Sequence, residues 1–152
     1  DPSTYSPHFS LFHGMMLIDP WNREKCGEYV DGSAKIDFDG AFNYCINMMS
    51  KHHMRTIAIR KTSSEAVSLF PKGFFDFVYI DGNHHDPQVS IDLAEWLPKV
   101  KSGGIFGGHD FYNLDTPEYR CDVKSAVEKM CAKHNFDLFV SPECVSWWII
   151  KP

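Results

Sequence analysis

The sequence lacks an apolar run that approaches the length of a membrane span, and it lacks cysteine pairs with zinc-ligand spacing. A transmembrane helix needs roughly 20 consecutive apolar residues, so we expect no membrane partner. The 152 residues include five cysteines, an odd number at wide spacing with no CxxC. This usage predicts reduced thiols and a cytoplasmic protein, and it argues against a zinc site built from cysteines.

Positive charge and glycine-rich motifs are also scarce. Lys and Arg number 15 against 20 Asp and Glu, which gives a formal net charge of −5. We therefore expect no nucleic-acid partner. Neither GxGxxG nor GxxxxGK[ST] occurs in the sequence, so a phosphate-binding loop is not indicated. Instead, Gly103-Gly104 is expected to end a helix, and Gly107-Gly108 to let the backbone approach a ligand or a neighbouring strand closely.

What the sequence does contain is an alternation of short apolar runs with helical patterns. Strands are predicted at 15–18, 56–59, 75–80 and from 105, with a closing antiparallel pair at 136–140 and 145–150. Helices are predicted at 38–54, 63–70, 89–100 and 123–130. This order predicts one α/β domain over residues 1–152 after an irregular segment 1–14. Its sheet should be mostly parallel and covered on both faces.

Polar residues follow three of the predicted strands directly. The apolar run that ends at Ile80 stops on DGNHHDP, while Asp19 follows the first strand and His109-Asp110 follow the strand that starts at 105. In parallel sheets, ligands bind beyond the carboxyl ends of the strands. We therefore expect carboxylates and imidazoles from all three strand ends to face one crevice.

Each of these groups has more than one chemical use. Asp19 could accept hydrogen bonds from a ribose diol or could serve as a turn or cap residue. The cluster of Asp81, His84, His85 and the His109-Asp110 pair could bind Mg²⁺ or Mn²⁺, or a neutral histidine could act as a general base. The alternative is a turn with solvated histidines. Trp147-Trp148 is expected to form core and edge packing.

Residues 75–113 resemble the second half of class I S-adenosylmethionine-dependent methyltransferases. They are most similar to a small O-methyltransferase-like group, in which one strand ends in DGxH and the next, after a GG turn, ends in HD. The matching residues are Asp81 to His84, Gly103-Gly104 and His109-Asp110. Upstream, LIDPW at 17–21 resembles the strand of that group whose terminal acid binds the cofactor ribose. The resemblance extends over roughly residues 15–150 and implies a Rossmann-like, doubly wound fold.

The resemblance also implies roles for individual residues. His84 would be the general base. The residues implied to bind S-adenosylmethionine are Asp19, Trp21, Ser63, Ser64 and Asp81. The residues implied to bind Mg²⁺ or Mn²⁺ are Asp81, His109 and Asp110. The expected reaction is O-methylation of a hydroxyl group on a small molecule or sugar.

One feature departs from the family pattern. The first strand and helix of the usual fold, with their glycine-rich turn, should precede LIDPW, yet only residues 1–14 of the sequence do so and GxGxG is absent. This departure favours an alternative function as a non-catalytic binding or assembly module. A metal-dependent hydrolase that uses Asp81, His84, His109 and Asp110 is a third hypothesis. A homodimer is the default expectation.

Overall fold

The structure, a computed structural model, describes residues 14–26, 36–51, 55–116 and 119–152. The chain divides into two compact units, Asp1–Thr62 and Ser63–Pro152, here called the N-terminal and C-terminal units. The predicted irregular segment 1–14, apart from Gly14, and the predicted helix end at 52–54 lie outside the described residues. That residues 1–152 form a single domain stays a prediction.

The N-terminal unit contains a parallel pair of strands joined through helices. In chain order its elements are β1 Met15–Ile18, α1 Arg23–Cys26, α2 Phe38–Lys51 and β2 Thr56–Ile59. β1 and β2 pair in parallel along their whole length. The backbone N–H of Gly40 donates to Oδ1 of Asp37 over 2.9 Å, so Asp37, rather than Asp39, caps α2.

The C-terminal unit alternates helices with strands and ends on two strands. Its elements are α3 Ser63–Ala66, β3 Phe75–Ile80, α4 Gln88–Trp96, β4 Val100–Gly108, β5 Leu114–Asp115, β6 Arg120–Cys121, α5 Val123–His134, β7 Phe139–Ser141 and β8 Ser146–Ile150. No helix in the described part of the chain combines the length and apolarity that a membrane span requires.

Four of these strands form one sheet in the order β3-β4-β8-β7. β3 and β4 are parallel, whereas β8 is antiparallel to both β4 and β7. The predicted closing pair of antiparallel strands is therefore confirmed. β5 and β6 form a separate two-stranded antiparallel hairpin, which the sequence patterns did not predict.

The predicted end of the helix at residue 100 and the predicted start of the strand at residue 105 were both wrong. α4 ends at Trp96, a 3₁₀ turn covers Leu97–Lys99, and β4 already begins at Val100. Gly103-Gly104 therefore lies inside a strand instead of ending a helix. Gly103 has φ +77°, and the register between β3 and β4 shifts between Phe75 and Phe77. A bulge at a glycine with positive φ explains why a helix-ending pattern occurs within a strand.

The core of the C-terminal unit lies between one sheet face and two helices. Strand residues Val78, Phe106, Trp147 and Ile149 are buried. α4 packs against α5 and β3, and their buried side chains are Val89, Leu93 and Trp96 from α4 and Val123, Val127 and Met130 from α5. Trp147 packs edge-on against Phe106, and Trp148 stacks on Phe139 at the sheet edge. The predicted packing role of the two tryptophans is confirmed.

The alternate side chains of the same strands point to the other sheet face and are less well covered. Phe77, Tyr79 and Ile105 are 55%, 45% and 40% exposed. Continuous apolar strands had predicted burial on both faces. At β3 and β4 the structure buries Val78 and Phe106 and leaves these three side chains substantially accessible.

Candidate functional site

Two polar strand ends meet at one edge of the C-terminal sheet. β3 and β4 are parallel neighbours, with Ile80 opposite Gly108. The next residues are Asp81 on one strand and His109 on the other. The backbone N–H of His109 donates to the carbonyl of Ile80 over 3.1 Å. This bond extends the hydrogen-bond ladder between β3 and β4 as far as His109. The predicted meeting of the DGxH and HD strand ends is confirmed.

At this edge His84 lies between two carboxylates. Its Nε2 atom is 2.9 Å from Oδ2 of Asp110 and 3.6 Å from Oδ1 of Asp81. The side chains of His84 and Asp110 are each 13% exposed, whereas that of Asp81 is 56% exposed. We call these three residues the Asp81–His84–Asp110 cluster. Its solvent-facing member is Asp81.

The backbone at Asp110 helps to aim its carboxylate. Asp110 adopts a left-handed conformation with φ +56°, which aspartate tolerates better than most residues. The carboxylate spans two imidazoles, since its Oδ1 lies 3.1 Å from Nδ1 of His109 while its Oδ2 faces His84. Asp110 thus connects the predicted base to the predicted metal ligand.

The electrostatics of the cluster follow from these contacts. The His84 side chain lowers the pKa of Asp81, which outweighs the opposing effect of burial, and His109 lowers it further. The Asp110 carboxylate beside the ring raises the pKa of His109. These contacts therefore favour the ionised form of Asp81 and the protonated form of His109.

A tyrosine that the sequence patterns did not single out completes the surroundings of His84. The hydroxyl of Tyr119 is 2.7 Å from Nδ1 of His84, and the two rings meet edge-on with centroids 6.4 Å apart. Tyr119 lies next to β6, 35 residues beyond His84 in the chain. Two-residue strands carry too little periodicity to be recognised, so no local signal places Tyr119 here.

Ser63 and Ser64 have structural hydrogen bonds within the C-terminal unit. The indole N–H of Trp96 donates to Oγ of Ser63 over 2.6 Å, and the side-chain amide of Gln88 donates to Oγ of Ser64 over 3.3 Å. These contacts tie α3 to α4. Roles of the two serines in cofactor binding stay predictions.

Asp19 and Trp21 belong to the N-terminal unit, where they form a tight turn after β1. The backbone N–H of Trp21 donates to Oδ1 of Asp19 over 2.5 Å, and Trp21 has φ +39°. The expected turn role of Asp19 is therefore observed, and an exposed carboxylate remains compatible with a ribose diol. Trp21 and Arg60 line a cavity of about 390 Å³ within this unit. That Asp19 shares an edge with Asp81 and Asp110 stays a prediction.

The donor atoms of the Asp81–His84–Asp110 cluster fit a divalent cation. Two carboxylate oxygens and one imidazole nitrogen lie within 4.8 Å of one another. Carboxylates suit Mg²⁺ and Mn²⁺, and imidazole also admits softer metals. His109, which the resemblance places among the ligands, contacts the other oxygen of the same Asp110 carboxylate.

In open α/β sheets of Rossmann-like folds, ligands bind beyond the carboxyl ends of the strands, where this unit carries its acids and imidazoles. The comparisons with known proteins narrow this class. Residues 13–111 match the model of a methyltransferase domain family, and the chain belongs to this family. No curated protein matches the sequence.

Solved structures agree on the fold. A protein from Corynebacterium glutamicum superposes with a TM-score of 0.60 at 10% identity, over 91% of this chain and 60% of that protein's length. The 1,6-didemethyltoxoflavin-N1-methyltransferase of Burkholderia thailandensis, solved with 1,6-didemethyltoxoflavin and S-adenosylhomocysteine, superposes with a TM-score of 0.51 at 14% identity. That match covers 95% of this chain and 74% of the enzyme. At such identities the likeness establishes a Rossmann-like α/β fold.

Proposed function

We propose that the chain transfers the methyl group of S-adenosylmethionine to a hydroxyl group of a small molecule or sugar. The observation that carries this proposal is the Asp81–His84–Asp110 cluster at the ends of two parallel strands. Membership of the methyltransferase domain family supports the reaction class. The likeness to an enzyme solved with S-adenosylhomocysteine supports the cofactor.

His84 would act as the general base. The acceptor oxygen attacks the methyl carbon, so a C–O bond forms while the C–S bond breaks and its electron pair stays on sulfur. The hydroxyl proton passes to the imidazole, and the Asp110 carboxylate at 2.9 Å stabilises the resulting imidazolium. Most of the rate would come from alignment of the two reactants, since the reaction has no covalent intermediate on the protein.

For the cofactor we retain the predicted residues Asp19, Trp21, Ser63, Ser64 and Asp81. A carboxylate at a strand end can accept two hydroxyl donors of a ribose. The exposed Asp19 and the neighbouring Trp21 ring offer that acceptor together with an aromatic surface for a purine.

A divalent metal is the second element of the proposal. Asp81, His109 and Asp110 are the predicted ligands, and the short distances within the cluster support His84 as a further one. Bound Mg²⁺ or Mn²⁺ would lower the pKa of the acceptor hydroxyl. Because Nε2 of His84 cannot bind a metal and take a proton at once, its two proposed roles exclude each other. Transfer that survives chelation would support the base, and transfer that stops until Mg²⁺ or Mn²⁺ is restored would support the metal ligand.

Isothermal titration of the full chain with S-adenosylmethionine and S-adenosylhomocysteine tests the central claim. We expect saturable binding that weakens in Asp19→Ala and persists in Asp137→Ala, a matched change of an exposed acid. Folded protein that gives no heat at millimolar ligand would contradict the proposal. That result would favour the non-catalytic binding module, as would binding without transfer to any of a panel of hydroxylated acceptors. Whether the chain forms a homodimer stays a prediction.

A further inference from the structure

We propose that Tyr119 is a positioning residue that holds the His84 imidazole with Nε2 turned towards Asp81 and Asp110. The inference rests on the proposed function, in which His84 is the working group. The observation that supports this role directly is the 2.7 Å contact between the Tyr119 hydroxyl and Nδ1 of His84.

The Tyr119 hydroxyl can pair with Nδ1 in either tautomer of the neutral ring. A phenol hydroxyl both donates and accepts hydrogen bonds, so it can donate to a bare Nδ1 or accept from a protonated one.

A hydroxyl also suits the states that the proposed function requires. If Nε2 is to take a proton from the acceptor, or to bind a metal, the hydrogen of the neutral ring lies on Nδ1, which is then a donor. The Tyr119 oxygen can accept that hydrogen bond without any rotation of the ring. A tyrosine therefore fixes one ring orientation in every protonation state, and a phenylalanine fixes it in none.

The hairpin that carries Tyr119 is tied to the loop that carries His84. The backbone N–H of Asp122 donates to the carbonyl of His84 over 2.8 Å. The backbone N–H of Asp86 donates in return to Oδ2 of Asp122 over 2.9 Å. Tyr119 itself is held by Thr116, through the backbone bond from the N–H of Thr116 and the bond from its own N–H to the Thr116 hydroxyl. These hydrogen bonds hold the backbone on both sides of the 2.7 Å contact between Tyr119 and His84.

The test compares Tyr119→Phe with Tyr79→Phe, a matched loss of a hydroxyl that contacts Ser146 elsewhere on the sheet. Nitrogen-15 NMR of the histidine rings at one fixed pH reports each ring nitrogen separately, and His84→Gln identifies the resonances. The Nδ1 resonance should shift in Tyr119→Phe, because its hydrogen-bond partner is lost, and should stay in place in Tyr79→Phe.

This readout needs neither cofactor nor acceptor, so it separates the inference from the proposed function. An unmoved Nδ1 resonance in folded Tyr119→Phe would overturn the inference even if methyl transfer were demonstrated. Where transfer is measured, Tyr119→Phe should lower kcat by about tenfold and leave the KM for S-adenosylmethionine unchanged. An unchanged kcat would overturn the positioning role even if the resonance moved.

Discussion

The Nε2 atom of His84 and the Oδ2 atom of Asp110 are 2.9 Å apart, although 26 positions separate the two residues in the chain. Parallel pairing of β3 with β4 brings them together, because each residue follows the end of one strand. The contact joins a group that can take a proton to a group that stabilises the protonated form. The first prediction concerns this pair.

His84→Gln should reduce methyl transfer by about 10²–10⁴-fold, because a glutamine side chain cannot accept the acceptor proton. Binding of S-adenosylmethionine, measured by calorimetry, should remain close to that of the unaltered chain. His134→Gln, an exposed histidine on α5, is the matched control and should transfer at the normal rate. Equal rates in the two variants would rule out His84 as the base.

The hydrogen bond from the backbone N–H of Asp86 to the Asp122 carboxylate, which we call the Asp122 clamp, should make stability depend on pH in the acid range. The backbone N–H of Asp86 lowers the pKa of Asp122 below its ordinary value of 3.8, and Arg120 contributes in the same direction. A carboxyl with a lowered folded-state pKa adds stability that is complete above 3.8 and is lost as the pH falls through the folded-state value. Urea unfolding should show Asp122→Asn less stable at neutral pH, with the difference shrinking under acidic conditions. A pH-independent difference would show that charge does not account for the clamp.

Ionisation of Asp92 should affect stability in the opposite direction to that of Asp122. Its side chain is only 2% exposed, and burial raises its pKa, so its ionised form reduces the stability of the fold at neutral pH. Asp92→Asn keeps an oxygen that can accept the 2.8 Å hydrogen bond from Gln88. Its free energy of unfolding should exceed that of the unaltered chain above the folded-state pKa, and the gain should vanish at low pH. Asp137→Asn controls for the change in net charge, and a less stable Asp92→Asn would refute the prediction.

Gly108 should tolerate no side chain. A Cβ there would collide with the carbonyl of Ile80 and lie 2.9 Å from Cζ2 of Trp147. Gly108→Ala should therefore destabilise the chain by about 1–3 kcal/mol in denaturant unfolding. At Gly82 an added Cβ would make an ordinary 3.5 Å contact with Asp92, so Gly82→Ala should change stability by less than about 0.5 kcal/mol. Similar losses in both variants would contradict the steric explanation.

Much of the site was predictable because it depends on where apolar runs stop. The run that ends at Ile80 and the glycine pair before His109 mark strand ends, and parallel strands bring such ends to one edge. The approach of Gly107-Gly108 to a neighbouring strand was likewise predicted, since glycines within strands indicate close backbone contact.

The remaining parts of the site depend on information that local patterns do not carry. Asp110 reaches His84 through a left-handed backbone conformation, which side-chain chemistry permits but does not dictate. Tyr119 depends on a hairpin of two-residue strands, β5 and β6. Tyr112 and Tyr119 both follow the HD strand end in the sequence, and no local pattern distinguishes them. Only tertiary contact identifies which tyrosine meets the imidazole.

The position of β8 between β4 and β7 has a consequence for biosynthesis. Its residues pair with both neighbours, so the central hydrogen-bond ladders of this sheet cannot close until Ile150 has left the ribosome. Until then β4 exposes an unpaired edge and Phe106 lacks its Trp147 neighbour. The nascent chain would therefore stay in a partly folded form that chaperones can bind, and this sheet would close only once β8 could pair with both β4 and β7.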